Sequence, residues 1–321
     1  MVDKTWFETG GPAVALPPIA KFDKTAILIL GLFRSLDPHS EPPTDRVEFS
    51  RTFDEGDVEV TLSCRSLLGA SDVRVLQGLV AIATDRYRSL AADRLYGRTN
   101  DVSGETRVRV KCSLRRLAMV AGLGSPGAGP TNRTIRQSLG RLCDVTVTWR
   151  SEGGTSGYTK TEPFIRNGGS AVGHGSVNVT FHSRLEAAIL ASRKGEHYLK
   201  VRMDEARGLG DCARLLHHRL AHMNEGERTG HGRDKLEAYL WGESPSRSAD
   251  RNRVRKLVGA IKELEGAGWA FEKDEASSII YITRPRSLAV VASTPSKAAG
   301  NSDQSSKDKT RGVRSFRRGR S

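Results

Sequence analysis

The stretch DRNRVRKLVGAIKEL, residues 250–264, decides the predicted fold. At about 100° per residue, the large apolar side chains of this stretch fall on one arc of a helix. This apolar arc consists of Val254, Leu257, Val258, Ile261 and Leu264. The opposite arc is polar and consists of Asn252, Arg255, Lys256 and Gly259, flanked by Arg251 and Arg253. The preceding segment, 242–248, has the composition of a turn. We therefore predict an amphipathic basic helix whose apolar arc packs on the domain.

The residues around this helix predict two further helices before it and a β-hairpin after it. Leu216 and Leu220 lie on the apolar face of one helix, and Asp234 can cap the second. Residues 269–271 and 279–282 are short apolar runs that predict the two strands of a hairpin. Three helices followed by a hairpin make a winged helix, which is a helix-turn-helix motif with a β wing.

An earlier part of the chain has the same order of elements without a repeated sequence. Ser113 can cap a helix, and 122–130 forms a Gly/Pro turn. Thr131 or Asn132 then caps a third helix, which continues to about Leu142 with Ile135, Leu139 and Leu142 as its apolar stripe. The outward face of that third helix contains Arg133, Arg136, Gln137, Gly140 and, to one side, Arg141. Alternating residues over 145–149 and glycines in 153–157 predict a wing. The predicted fold class is mainly α with small β wings, arranged as tandem winged-helix domains.

Composition divides the chain into four segments. Residues 1–57 contain many proline and glycine residues and are predicted to be an N-terminal arm and connecting segment. The first winged-helix domain is predicted over 58–184 and the second over 185–286. Residues 287–321 have almost no large apolar side chains, and eight basic against two acidic residues give this segment a net charge of 8 − 2 = +6. Because such a segment cannot bury enough surface to fold, we predict a disordered basic tail.

The charge of the chain limits its partners. The 321 residues contain 51 Lys and Arg against 37 Asp and Glu, a formal net charge of 51 − 37 = +14. This excess attracts polyanions, of which nucleic acid comes first and an anionic membrane second. The most apolar run, 25–33, has about half the length of a membrane-spanning helix. The four cysteines show no C-x-x-C spacing, so we predict reduced thiols in a cytoplasmic protein with no membrane partner.

The N-terminal half of each third helix is the predicted DNA contact. A recognition helix places that half in the major groove, where arginine pairs with guanine and asparagine with adenine. Phosphate contacts are predicted from the wings. The predicted DNA-binding residues are Arg247, Arg251, Asn252, Arg253, Arg255, Lys256, Arg133, Arg136, Gln137, Arg141, Lys160, Lys273 and Arg284. The alternative interpretation of these charges, an ordinary solvated surface, stays open here.

No motif predicts catalysis, a metal ion or a cofactor. The pattern G-x-G-x-x-G over 122–127 has the letters of a dinucleotide fingerprint, but a helix rather than a strand precedes it. No P-loop motif occurs. His217 is predicted at the edge of the core, and His218 and His222 are predicted on the surface without a third metal ligand. We therefore predict a non-enzymatic protein with no catalytic residue, no metal site and no cofactor.

Several stretches together are similar to one known family. In the first half these are Gly31–Arg34, Leu68–Ala81 and Val110–Ala118. In the second half they are Val201–Leu209, Ala213–Leu220, Tyr239–Trp241, Arg251–Lys256, Leu264–Trp269 and Tyr281–Pro285. In order and spacing they resemble RepC, the iteron-binding replication initiator family of IncQ-type plasmids, over about 31–286. The resemblance implies binding to directly repeated iterons at an origin, opening of the adjacent DNA, and loading of a plasmid-encoded helicase and primase.

Two other functions stay open at this point. A winged-helix transcriptional regulator would also bind double-stranded DNA, but at a promoter rather than at an array of direct repeats. A nuclease or relaxase would instead nick supercoiled DNA in the presence of a divalent metal. The sequence does not decide whether the chain associates with itself.

Overall fold

The computed structural model describes much of the chain outside its two ends. The ranges are 16–23, 32–36, 46–53, 58–95, 108–124, 127–151, 158–167, 175–191, 198–242, 250–274 and 276–286. All of them belong to one compact unit, residues 1–286. The predicted disordered tail, 287–321, lies outside the described residues, and so does Arg247. The predicted domain boundaries at 57/58 and 184/185 stay predictions.

Helices and strands alternate along these ranges. The helices are α1 Ala70–Leu95, α2 Leu114–Ala121, α3 Gly129–Asp144, α4 Ser183–Leu190, α5 Met203–Ala206, α6 Asp211–Leu220, α7 Arg233–Trp241 and α8 Asp250–Gly266. The strands are β1 Ile19–Asp23, β2 Val47–Phe53, β3 Val58–Cys64, β4 Arg109–Ser113, β5 Thr146–Ser151, β6 Tyr158–Pro163, β7 Ile165–Asn167, β8 Ser176–Phe181, β9 Tyr198–Arg202, β10 Arg228–Gly232, β11 Ala270–Lys273 and β12 Ile279–Thr283.

The strands pair into antiparallel sheets. One sheet has the order β2-β3-β5-β6, a second has β4-β8-β7, a third has β10-β12-β11, and β1 pairs with β9 alone. The two predicted hairpins are confirmed, since β5 pairs with β6 and β11 pairs with β12. Strands from elsewhere in the chain extend both hairpins: β3 and β2 extend the first, and β10 extends the second.

The predicted fold class, mainly α with small β wings in tandem winged-helix domains, is wrong. The described ranges contain twelve strands in four sheets beside eight helices, so the fold is a mixed α and β architecture. The prediction missed β10, whose sequence RTGHG has little β propensity, because β12 supplies its backbone hydrogen-bond partners. It also missed β2, since the segment 34–57 has the prolines of a connecting loop.

The segment predicted as an N-terminal arm also supplies strand β1 to the fold. β1 pairs with β9 from Ile19 opposite Arg202 to Asp23 opposite Tyr198. Phe22 of this strand is fully buried. It belongs to a single hydrophobic core that continues to Ile282. Strand β1 therefore helps to hold the second half of the protein against its first half.

The helix α2 shows how local signals and close packing combine. Ser113 caps its start by accepting a hydrogen bond from the Arg116 backbone N–H at 3.1 Å, which confirms the predicted cap. Gly122 ends the helix in the left-handed region with φ 67°. A Cβ placed on Gly122 would lie 2.7 Å from the backbone oxygen of Arg207, directly after α5. Glycine is therefore required both by the turn and by the contact with the second half of the chain.

None of the helices in the described ranges is long and apolar enough to cross a membrane. Even α1, with 26 residues, contains charged side chains along its length.

Candidate nucleic-acid interface

Helix α8 is confirmed and packs on the protein through one face. Leu257, Ala260 and Leu264 are almost completely buried there. Val258 was predicted on the same face, but 46% of it is exposed. The packed face is therefore turned toward Ala260 relative to the predicted one, and Val258 joins the exposed side.

The exposed side of α8 is basic. Arg251, Asn252, Arg255 and Lys256 are exposed, and residues 251–262 contain no acidic residue. The Arg255 guanidinium donates a hydrogen bond from Nη2 to Asn252 Oδ1 at 3.0 Å, which orders an exposed arginine along the helix. Arg251, Arg255 and Lys256 form no ion pair with any described residue. We call Arg251, Asn252, Arg255 and Lys256 together the α8 basic face.

Arg253 differs from its neighbours on α8. It is only half-exposed, and its guanidinium lies over the Trp241 ring at 5.6 Å from the ring centroid. A cation held against an aromatic face at the end of α7 contributes to the packing of α7 and α8. Arg253 therefore lies beside the α8 basic face rather than within it.

The end of α8 is attached to α6 through Glu263. The Glu263 carboxylate accepts a hydrogen bond from the Gly210 backbone N–H at 2.6 Å, at the N-terminus of α6. A carboxylate is favourable at that helix end because the N-terminal N–H groups carry partial positive charge. A Cβ on Gly210 would lie 2.9 Å from Glu263 Oε1, so glycine makes room for the contact. This bond adds to the apolar packing that holds α8 on the protein.

Helix α3 presents a second basic surface. It begins with Ala128 as the N-cap and Pro130 in its first turn, rather than with the predicted Thr131 or Asn132 cap. Its buried side consists of Ile135, Ser138, Leu139 and Leu142, which includes the predicted apolar stripe. Its exposed side contains Arg133, Arg136 and Gln137, and residues 129–143 contain no acidic residue. Neither arginine pairs with an acidic group in the described part of the chain.

Arg141, which was predicted to face outward on α3, instead binds Asp72 of α1. Its Nε and Nη2 atoms donate to the Asp72 carboxylate at 3.1 and 2.9 Å, and the Asp72 side chain is 1% exposed. Asp72 also accepts the Gly69 backbone N–H at 2.7 Å, where α1 begins. Arg141 therefore joins α3 to α1, because a buried carboxylate already holds its guanidinium, and its contact with DNA stays a prediction.

Replacing Asp72 by asparagine tests this assignment. Asp72→Asn removes the charge but keeps the volume, and we expect the free energy of unfolding to fall by about 2 kcal/mol because a charge-assisted buried pair is broken. Urea unfolding followed by circular dichroism measures it. The matched control Arg136→Ala, on the exposed side of α3, should change the stability by less than about 0.5 kcal/mol. Equal effects of both substitutions would contradict the structural role of Asp72.

Arg284 was predicted to contact DNA, but the protein itself buries this side chain. The residue is 5% exposed, and it donates from Nη1 to the backbone oxygens of Ala221 and Met223 at 2.8 and 2.6 Å. Its Nη2 donates to the Lys200 backbone oxygen at 2.8 Å, and burial lowers the pKa of the guanidinium. Arg284 therefore links the end of β12 to β9 and to the end of α6 inside the protein.

The other two predicted wing residues lie on the surface. Lys160 in β6 is half-exposed, and its Nζ contacts the Glu162 carboxylate at 2.6 Å and Ser183 Oγ at 3.2 Å. Lys273 is exposed at the end of β11. Lys160 is thus already neutralised by a neighbouring acid, whereas Lys273 forms no ion pair within the described ranges.

The structure adds basic residues that the sequence reasoning did not select. Arg115 and Arg116 are exposed in the first turn of α2, directly after the Ser113 cap, and Lys111 is exposed just before it. Lys262 is exposed on α8, two turns after Arg255. The basic pair that follows a clear helix cap was the signal that could have found Arg115 and Arg116.

The histidines of α6 are buried rather than arranged around a metal. His217 and His218 are 2% and 0% exposed, so the prediction of a surface position for His218 is wrong. The His218 ring lies edge-on to Phe22 and Phe33, with centroids 5.2 and 5.8 Å away, and burial lowers its pKa well below the usual value. No cluster of three His, Cys, Asp or Glu side chains that could hold a metal occurs among the described residues.

Comparison with known proteins identifies one family. The sequence model of the family described as Replication protein C (RepC) matches residues 18–286. No curated protein matches the sequence. A crystal structure of a selenomethionine derivative of domains 2 and 3 of RctB has 10% identity and a TM-score of 0.48, and the match covers 78% of this chain and 94% of that one. A second structure of RctB domains 2–3 has 11% identity and a TM-score of 0.46, with 77% and 93% covered.

Proposed function

Since this chain belongs to the Replication protein C (RepC) family and is a replication initiator, we propose that it binds directly repeated iterons at a plasmid origin. In this proposal α8 enters the major groove with its basic face, and α3 enters a second groove. Binding then promotes opening of the adjacent DNA and loading of a plasmid-encoded helicase and primase in the cytoplasm. The last two steps rest on the family resemblance and not on a site in this chain.

The α8 basic face is the observation that carries the proposal. Three cationic side chains with no described acidic partner occupy the exposed first half of a helix that is packed on its other side. Ordinary surface cations are commonly near carboxylates, and here Arg150, Arg228 and Arg233 each pair with one. Cations that lack such neighbours are available to phosphates and base edges, which is how a recognition helix contacts DNA.

The fixed position of α8 supports sequence-specific rather than purely electrostatic binding. Discrimination between base pairs requires donors with a defined geometry at the base edges. A donor that is ordered before binding also loses less conformational entropy when it binds. Glu263 fixes the end of the helix, and Asn252 orders the Arg255 guanidinium. Arg255 is therefore the residue we propose for a bidentate contact with guanine.

Selection from a random-sequence library tests the proposal. Full-length protein is incubated with random-sequence duplexes, and bound DNA is recovered and amplified over successive rounds. We expect enrichment of one motif, and we expect footprinting of DNA next to the gene to show protection of several direct repeats of that motif. If no duplex sequence is enriched, sequence-specific initiation is refuted.

The same footprint decides against a transcriptional regulator, the second candidate. A regulator of this kind protects a single palindrome at a promoter, because its two-fold symmetry matches that of the site. A nuclease is tested by incubating the protein with supercoiled plasmid and magnesium or manganese, where we expect the plasmid to stay intact. Nicked product would show catalytic activity that the proposal does not include.

A further inference from the structure

Each of the two proposed DNA-contacting helices contains a glycine in its interior. Gly140 lies in α3, four residues before the helix ends, and Gly259 lies near the middle of α8. Apart from proline, glycine is the least favourable residue in a helix interior, since it loses the most backbone freedom on folding. A glycine inside a helix therefore lowers its stability, and a contact or a function has to explain its presence there.

Packing within the protein supplies no such reason. A Cβ built on Gly140 or on Gly259 has no described atom within 4 Å. Gly78 in α1 shows the contrast, because a Cβ there would lie 3.0 Å from Leu117 Cδ1 and 3.1 Å from Ala121 Cβ of α2. Gly78 lets two helices of the protein approach each other, whereas Gly140 and Gly259 face open space. Neither has a positive φ that would require glycine.

The two glycines occupy the same place relative to the exposed basic residues. Gly140 follows Arg136 by four residues, and Gly259 follows Arg255 by four residues. At 100° per residue each glycine is therefore next to its arginine on the same face, one turn further along. Both arginines and Gly140 are exposed, and Gly259 is half-exposed, so this face of each helix is open to solvent.

We propose that Gly140 and Gly259 are the points of closest approach between the protein and duplex DNA, where a missing side chain lets the sugar-phosphate wall of the groove contact the helix backbone. Two helices that share no sequence repeat carry the same costly residue at the same place on their basic faces. A side chain there would hold the helix away from the groove and lengthen the bonds made by Arg136 and Arg255. This inference rests on the proposed function. It adds two uncharged residues, Gly140 and Gly259, to the proposed DNA-contacting surface.

Alanine and glutamine substitutions test the proposal with a result that a structural role would not produce. Gly140→Ala and Gly259→Ala should raise the melting temperature by about 2 °C each, because alanine is the better helix former. The same variants should bind the duplex obtained by selection about tenfold more weakly, as expected when an added methyl group forces two well-packed surfaces apart. The longer side chains of Gly140→Gln and Gly259→Gln should weaken binding further. Fluorescence anisotropy with full-length protein measures the affinity.

The matched control is Gly266→Ala at the end of α8. Gly266 is also in the helix and also has no described atom within 4 Å of a built Cβ, but it lies two turns beyond Gly259. This variant should bind DNA with the wild-type affinity. The slope of affinity against salt concentration should also stay unchanged in the Gly259→Ala variant, since no cationic side chain is removed.

The outcomes separate this inference from the proposed function. Wild-type affinity in both alanine variants and both glutamine variants, together with selective binding by the wild type, overturns the inference and leaves iteron binding intact. A loss in Gly266→Ala as large as that in Gly259→Ala also overturns it, because the effect would then not be local. Failure of the wild-type protein to select any duplex overturns the proposed function and this inference with it.

Discussion

Replacing Arg251, Arg255 and Lys256 together by alanine is expected to lower the affinity for the selected duplex by about a hundredfold or more, because two or more bonds to phosphates or bases are removed. These three cations form no ion pair with a described residue, so their removal leaves no carboxylate unpaired in that part of the protein. The plot of log affinity against log salt concentration should become shallower by up to about three units, one for each phosphate that the variant no longer neutralises.

A charge-matched variant separates local binding from net charge. Arg150, Arg228 and Arg233 are 58%, 50% and 47% exposed, and each pairs with a glutamate. Replacing these three by alanine removes the same formal charge from the protein, and it should leave selective binding within a few-fold of wild type. Affinity is measured by anisotropy over a salt series. If both triple variants bind equally weakly, the α8 basic face does not touch the DNA and only the overall charge matters.

Replacing Arg214 by alanine is expected to lower the free energy of unfolding by about 4 kcal/mol, because the substitution leaves buried acceptors unpaired and creates a cavity. Arg214 is fully buried on α6. Its guanidinium donates to Gln77 Oε1 of α1, to the Ala206 backbone oxygen, and to the Ala121 backbone oxygen at 3.3 Å. Burial lowers the pKa of Arg214 to about 9.

The backbone oxygens explain how the protein accommodates this buried charge. Ala121 is the last residue of α2 and Ala206 is the last residue of α5, and the C-terminal end of a helix carries partial negative charge. One cation therefore joins two helix ends from the two halves of the chain. Nearby, Arg74 of α1 donates to the backbone oxygens of Gly122 and Leu209 at 3.2 and 2.6 Å. The hydrogen bonds of Arg214 and Arg74 therefore link the first half of the chain to the second.

The measurement is equilibrium urea unfolding, with Arg255→Ala as the control. Arg255 is an exposed arginine, so its removal should change stability by less than about 0.5 kcal/mol. If Arg214→Ala does not fold, Arg214→Lys serves instead, because one ammonium keeps the charge but cannot reach all three acceptors, and about half the loss is expected. Wild-type stability in the lysine variant would contradict the role of the guanidinium fork.

Helices and hairpins were the parts of this fold that could be predicted from local sequence. The apolar stripe of α3, the Ser113 cap of α2 and the two hairpins were predicted in the right places. Each depends on residues a few positions apart, so a period or a cap is enough to identify it. Strand β10 has no such local pattern, and it exists because the edge of β12 is available to it.

The availability of basic residues to DNA depended on distant parts of the chain. Arg251, Arg255, Lys256, Arg133 and Arg136 are exposed as the helical arcs predicted. Arg284 and Arg141 are equally basic in sequence, yet one donates to three backbone oxygens and the other binds Asp72, 69 residues earlier. No local pattern distinguishes these two from the exposed arginines.

The amino-acid sequence alone determined the two basic helices α3 and α8, the charge that attracts polyanions and the resemblance to an initiator family. Tertiary structure alone decided how the hairpins and the other strands join into four sheets, how Arg214 links the two halves, and which arginines remain exposed. The physical reason is the distance along the chain between the residues that interact. Helical periodicity and net charge are properties of neighbouring residues and of simple sums, whereas sheet pairing and the burial of a cation depend on acceptors that lie far away in the chain and reach their partners only when it folds.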